Sequence, residues 1–238
     1  MKITVFNGSP RGLESNSHRI VKLLLEGATE AGADVQEIFL VDYNIEQCRG
    51  CFNCWDKTPG KCIINDEMAD MISIFLESDI IGMATPVYNM YMTGLLKNFT
   101  DRLLPLATPH IQVSEEGEFY HEGRVNKFPS QFMIANSGFP GDNNFNIIQA
   151  LTSLQSMVLE VYRNCGELLA QPEYDEYKEK VDEFYSALFK AGKELVINGY
   201  VSDETVENIH MELISDEDYM NLGNQFWDEE LDKIEKGN

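Results

Sequence analysis

The stretch KITVFNGSPRGLESNSHRIVKLLLEGATEAGA, residues 2–33, decides the fold. Lys2 to Phe6 is a short apolar, β-branched run, and NGSPRG follows it at once. Ile20, Val21, Leu24, Leu25 and Ala28 then recur at helical spacing, with Ser15, Asn16 or Ser17 as an N-cap and Gly32 as the stop. The same rhythm continues outward. Val35 to Val41 reads as a second strand, and Asp66 caps a helix carrying Met68, Met71, Ile72 and Phe75. Asp79 to Ala84 is a third strand, apolar enough to be buried on both faces. Thr93 to Leu106 reads as a helix, and a polar excursion from Thr108 to Phe128 precedes a fourth strand at Gln131 to Ala135. The reading closes with a long helix from Asn143 to Asn164, a short fifth strand from Glu167 to Ala170 and a helix from Glu173 to Asn198. Strand and helix alternating through five cycles predict an α/β fold, a doubly wound parallel sheet with helices on both faces.

In such sheets ligands gather beyond the carboxyl ends of the strands, where the strand order reverses. Three loops there carry chemistry. Gly8 to Ser17 offers hydroxyls, the Arg11 guanidinium and a helix N-terminus, which suit a phosphate monoester. It is neither G-x-G-x-x-G nor a P-loop, so a Rossmann dinucleotide site and an ATP-type site are not indicated. Thr85 to Tyr91 brings two tyrosines and a methionine to a strand end, able to flank a planar ring or simply to pack the domain. Asn136 to Gly141 is small and rich in backbone donors, fitting close approach to a flat ligand or a tight turn.

A fourth segment, QCRGCFNCWDKTPGKC at residues 47–62, holds four of the five cysteines. Cys48, Cys51, Cys54 and Cys62 follow C-x2-C-x2-C-x7-C, a spacing that turns several sulfurs toward one centre. An iron–sulfur cluster, a tetrahedral zinc and a set of reduced thiols all satisfy it. His18, His110, His121 and His210 show no metal-binding spacing, and Cys165 reads as an isolated buried thiol.

Composition narrows the partners. Forty Asp plus Glu against 18 Lys plus Arg give a formal net charge of −22, which repels phosphate backbones and anionic lipid. No apolar run approaches the roughly 20 residues of a membrane helix, and MKITVF lacks the features of a leader, so the expected location is cytoplasmic. Nucleic acid and membrane are excluded as partners on these grounds.

NGSPR with SNS, TPVYNMYMTGLLKNFTDR and NSGFP together resemble the flavodoxin-like NAD(P)H-dependent FMN reductase family across roughly residues 1 to 195. The resemblance implies a five-stranded sheet in the order 2-1-3-4-5 with FMN at the switch point. It implies that Ser9, Arg11, Asn16 and Ser17 bind the flavin phosphate with Ser15 close by. Pro86, Val87, Tyr88 and Asn89 would line the isoalloxazine, helped by Ser137 and Gly138. The cysteine run followed by Asp66, Glu67 and Met68 is similar to the iron–sulfur flavoproteins, which implies a [4Fe-4S] cluster on Cys48, Cys51, Cys54 and Cys62. An electron path from NAD(P)H or a ferredoxin-type carrier through FMN to a small-molecule or protein acceptor follows, with no side-chain proton donor required. Relatives of this kind imply a homodimer or homotetramer.

The division expected is a flavodoxin-like domain over residues 1–198 and an acidic, amphipathic helical extension over 199–238. The extension packs either on its own domain or on a neighbouring subunit. Three rivals stand beside the cluster-bearing oxidoreductase: a quinone, nitro-compound or chromate reductase using FMN alone, a flavodoxin-type carrier and a zinc-stabilised binding module.

Overall fold

The computed structural model describes residues 1–170 and 176–236. Five parallel strands form one sheet: β1 (Lys2–Asn7), β2 (Asp34–Phe39), β3 (Ile80–Pro86), β6 (Ser130–Asn136) and β7 (Met157–Arg163). Their spatial order is β2-β1-β3-β6-β7, all pairs parallel. The two missing numbers belong to an antiparallel hairpin, β4 (Ala107–Val113) and β5 (Phe119–Gly123). Counted without it, the sheet has the expected 2-1-3-4-5 topology.

Alternation along each strand sorts the core into two layers. Ile3, Val5, Phe132, Ile134, Leu159 and Val161 face α1 (Asn16–Glu30) and α5 (Lys178–Asn198). Phe6, Ile81, Met83, Met133 and Ala135 face α2 (Met68–Glu77), α3 (Gly94–Asp101) and α4 (Asn146–Thr152). Ser15 caps α1, its Oγ accepting from the His18 N–H at 3.1 Å. α1 and α5 meet backbone to backbone. A Cβ on Gly27 would lie 1.9 Å from the Phe189 carbonyl oxygen, and one on Gly192 the same distance from that of Leu24, so only glycine permits the approach.

Two expectations are corrected. The helix expected over Asn143–Asn164 stops at Thr152, and its second half is the edge strand β7. Val158, Val161 and Tyr162 suit a pleated surface, and pairing with β6 outweighs the helical periodicity of the preceding residues. The fifth strand expected at Glu167–Ala170 is a 3-10 turn, Gly166–Leu169, that buries Leu168 and Leu169. The polar excursion at 108–128 is the β4–β5 hairpin, packed on the cysteine loop with the Trp55 and His121 ring centroids 4.8 Å apart. The expected start of the last helix at Glu173 falls outside the described residues.

The C-terminal segment supplies α6 (Asp203–Ile209) and α7 (Asp216–Glu235). Val201, Ile209, Leu213, Ile214 and Tyr219 join the α1–α5 core layer. Beyond the first turn of α7, Met220, Phe226, Trp227, Leu231 and Ile234 stay exposed. No helix among the described residues is long and apolar enough to cross a membrane.

Candidate functional site

The loops after β1, β3 and β6 converge on one recess of about 70 Å³. Ser9, Arg11, Ser15, Asn16, Ser17, Pro86, Val87, Tyr88 and Gly138 line it, joined by Asn136 and Glu167. Nine of the eleven flavin-site residues expected from sequence therefore meet in one place. The volume equals that of about two liquid waters, the scale of a phosphate group and not of a three-ring system.

Its floor is the N-terminus of α1. The first-turn N–H groups of a helix have no intrahelical acceptor. His18 N–H is taken by the Ser15 cap, which leaves those of Asn16 and Ser17 for a ligand. The Ser15 hydroxyl is spent internally, donating to the Gly12 carbonyl at 2.7 Å. Ser9 Oγ accepts from the Arg11 N–H and Ser17 Oγ accepts from Asn136 Nδ2 at 2.7 Å, so both hydroxyl protons remain to be donated. Asn16 is 5% exposed and its Oδ1 has no partner. Arg11 reaches across the mouth, Nη1 3.9 Å from Glu167 Oε1. Two N–H groups, two hydroxyls, a guanidinium and a helix dipole fit a phosphate dianion.

The loop is shaped from below by β2. Asn7 Nδ2 donates to Glu37 Oε1 at 2.7 Å, and Asn7 Oδ1 accepts from the Ser9 N–H at 2.9 Å. Glu37 Oε2 lies 2.7 Å from His18 Nδ1. Burial pushes the Glu37 carboxyl above its usual range, although Asn7 and His18 bind and partly offset it.

The wall after β3 is a tight turn. Tyr88 and Tyr91 exchange backbone hydrogen bonds of 2.9 and 3.1 Å, with Asn89 and Met90 at φ 49° and 67° between them. Left-handed conformations at two non-glycine residues store strain beside the recess. Asn89 is exposed and does not line the recess. Ser137 also lies off the lining. Its Oγ accepts from the Phe139 N–H, and its backbone bridges Arg163 and Gly166, so it shapes the loop that presents Gly138.

Cys48, Cys51, Cys54 and Cys62 surround a separate cavity of about 20 Å³ together with Arg102. All are reduced; Cys48 and Cys51 are exposed, Cys54 is buried and Cys62 lies between. Burial, then the neighbouring Cys62, raises the Cys54 thiol above its ordinary value. Both ends of the loop are pinned by one buried ion pair. Arg102 Nη1 and Nη2 donate to Asp66 Oδ2 and Oδ1 at 2.7 and 3.0 Å, and both side chains are 1% exposed. Arg102 also donates to the Glu46 carbonyl, while Asp66 accepts from the Glu46 and Met68 N–H groups. Yet among the described residues no three His, Cys, Asp or Glu side chains form a group that could hold a metal ion. The four thiols nonetheless share one cavity, and Cys62, Cys51 and Cys48 each push the Cys54 thiol further up, so they are near neighbours, a donor set of the kind that holds a thiolate-bound cluster or zinc.

A five-stranded parallel sheet with a donor-lined recess beyond the carboxyl ends of β1 and β3 defines a flavodoxin-type, doubly wound α/β protein. Within that class, residues 1–119 match the NADPH-dependent FMN reductase family, and the chain belongs to it. An iron–sulfur flavoprotein of Archaeoglobus fulgidus is 32% identical over 105 residues, 44% of this chain and 46% of that protein. One from Clostridioides difficile is 37% identical over 105 residues, 43% and 45% of the two chains. The chain spans about half the length of the curated relatives it matches. Among solved structures, an FMN-dependent NADH-azoreductase of Bacillus anthracis in complex with FMN superposes with a TM-score of 0.58. It is 18% identical, covering 82% of this chain and 99% of that one. An NAD(P)H:quinone oxidoreductase of Methanothermobacter marburgensis gives 0.59 at 14% identity, covering 82% and 96%. These two likenesses bear on the fold.

Asn136 opens the third loop that the sequence singles out, whereas Glu167 reaches the recess from a turn where the sequence predicts a fifth strand, so its place in the lining is not legible there.

Proposed function

We propose that the chain is an FMN-dependent oxidoreductase taking electrons from NAD(P)H or a reduced carrier. The observation that carries the reading is the recess at the start of α1, lined by Ser9, Arg11, Asn16 and Ser17. FMN, when bound, supplies exchange between a two-electron donor and one- or two-electron acceptors. The chain's part is to hold and orient. Ser9, Ser17 and the α1 amides fix the phosphate, Arg11 neutralises it, and Pro86, Val87, Tyr88 and Gly138 border the space toward the ring. The names of the relatives support this reading.

The finer version places a [4Fe-4S] cluster on Cys48, Cys51, Cys54 and Cys62, supported by their spacing and by the names of the curated relatives. A reductase using FMN alone is the second reading, in which the four reduced thiols take no part in the electron path. No step above depends on the choice. The exposed Ile111, Val113 and Phe119 of the hairpin support a homodimer or homotetramer, to be read by light scattering on the eluting protein.

Protein purified without oxygen should show flavin absorbance and consume NADH or NADPH. Iron and sulfide near four per chain, lost with bound FMN retained in Cys51→Ser, select the cluster version; flavin without iron selects the plain reductase. Ser17→Ala should weaken FMN and leave riboflavin unchanged. Protein that takes up no added FMN overturns the proposal.

A further inference from the structure

The family match ends at residue 119, but the loop that closes the recess after β6 is held by residues about a hundred positions later. Tyr219 Oη donates to the Gly138 carbonyl at 3.0 Å, and Asp216 Oδ1 accepts from the Gly141 N–H at 2.9 Å. Tyr219 is 7% exposed and belongs to the core, so its hydroxyl is delivered from a fixed ring. Gly141 sits at φ +79°, where its N–H faces the first turn of α7. Asp216 stands at the first position of that helix, where the positive end of the dipole favours its charge.

The segment that carries these two residues is itself anchored. Arg163, at the end of β7, is 2% exposed and has no carboxylate partner among the described residues. Its Nη1 donates to the Met211 carbonyl at 3.0 Å and its Nη2 donates to that of Ile209, the last residue of α6. Its guanidinium carbon lies 4.6 Å from the Phe184 ring centroid. Burial lowers the Arg163 pKa to about 10, so the side chain remains a cation at neutral pH while binding orphan carbonyls at a helix end. The Arg163 carbonyl in turn accepts from the Ser137 N–H at 2.9 Å. One arginine therefore ties the tail to the strand and the strand to the loop.

We propose that residues 209–219 are a latch that positions the Gly138–Gly141 wall of the flavin site, with Tyr219 and Asp216 as positioning residues and Arg163 as their anchor. The acidic extension then belongs to the flavin site in function, although it lies outside the matched region. The inference rests on the flavin reading.

The test uses full-length protein with Tyr219→Phe and Tyr219→Phe/Asp216→Asn, which keep the ring and the side-chain volumes. Dissociation constants for FMN and for riboflavin are measured by fluorescence quenching, with visible circular dichroism of the bound flavin and thermal melts of the flavin-free proteins. Each lost hydrogen bond should weaken both flavins by the same factor, roughly three- to tenfold. The visible dichroism should change, and the flavin-free melting temperature should fall by no more than about 2–4 °C per lost hydrogen bond. Unchanged constants and dichroism in variants of a flavin-binding wild type overturn the latch alone, as does a loss confined to FMN or a larger fall in melting temperature. A wild type that binds neither flavin overturns the earlier reading instead.

Discussion

Replacing Asp66 by Ala should be among the most damaging single changes in the chain, although Asp66 lies outside both main core layers. Asp66 accepts four hydrogen bonds, two from Arg102 and one each from the Glu46 and Met68 N–H groups. Its removal strands a buried guanidinium left with the Glu46 carbonyl and the Cys62 sulfur as acceptors. Removing one member of a buried pair costs about 3–5 kcal/mol, against a total near 5–15 kcal/mol for a domain. In urea the midpoint should fall by roughly 1–2 M. Adding Arg102→Met deletes the stranded charge and should return at least about 1 kcal/mol, a coupling that a double-mutant cycle isolates. The pH dependence has a fixed sign. Burial pushes the Asp66 carboxyl up, but the Arg102 hydrogen bonds and charge and the two N–H bonds outweigh it, leaving it below its ordinary 3.8. A depressed folded value means the contribution is fully present above pH 3.8 and fades as pH falls through the folded value. The gap between wild type and Asp66→Ala should be flat above that pH and narrow below it. A loss under 1 kcal/mol, or purely additive losses in the cycle, would refute the view that this pair pins the cysteine loop.

Other substitutions test the frame. Gly192→Ala puts a methyl 1.9 Å from the Leu24 carbonyl and should destabilise by about 1–3 kcal/mol, seen as a lower urea midpoint. Ser15→Ala removes the α1 cap, so the melting temperature should drop by roughly 2–4 °C, for about 1 kcal/mol. Phe132→Ala empties a fully buried site between the sheet and the α1–α5 layer and should cost about 3–5 kcal/mol by chemical denaturation.

How far the sequence could be read depends on where each signal resides. The α1 cap, the apolar β3 and the phosphate loop are local. Each is written within about ten consecutive residues; the cap and the strand appear where the spacing put them, and the loop lines a recess at the start of α1. β7 is not local. Met157 to Arg163 has enough apolar residues to continue a helix, and only its register against β6 makes it a strand. That one slip also hid Glu167, since a residue taken for a strand is not expected to face Arg11 across a recess. The cysteine spacing reads strongly for coordination, yet spacing fixes neighbours along the chain and not the directions of the thiols. The tie between Tyr219 and Gly138 spans eighty-one positions and has no sequence signature.

The glycine contact between α1 and α5 also bears on how the chain is made. α1 leaves the ribosome early, but the helix that covers its apolar stripe ends at Asn198. At about 5–20 residues per second, Ile20, Val21, Leu24 and Leu25 wait roughly eight to thirty-four seconds for their cover. Through that interval the nascent chain displays the sort of greasy stripe that holdase chaperones grip. Expression at lower temperature slows translation and prolongs the wait, so soluble yield should respond more to chaperone supply than to cooling.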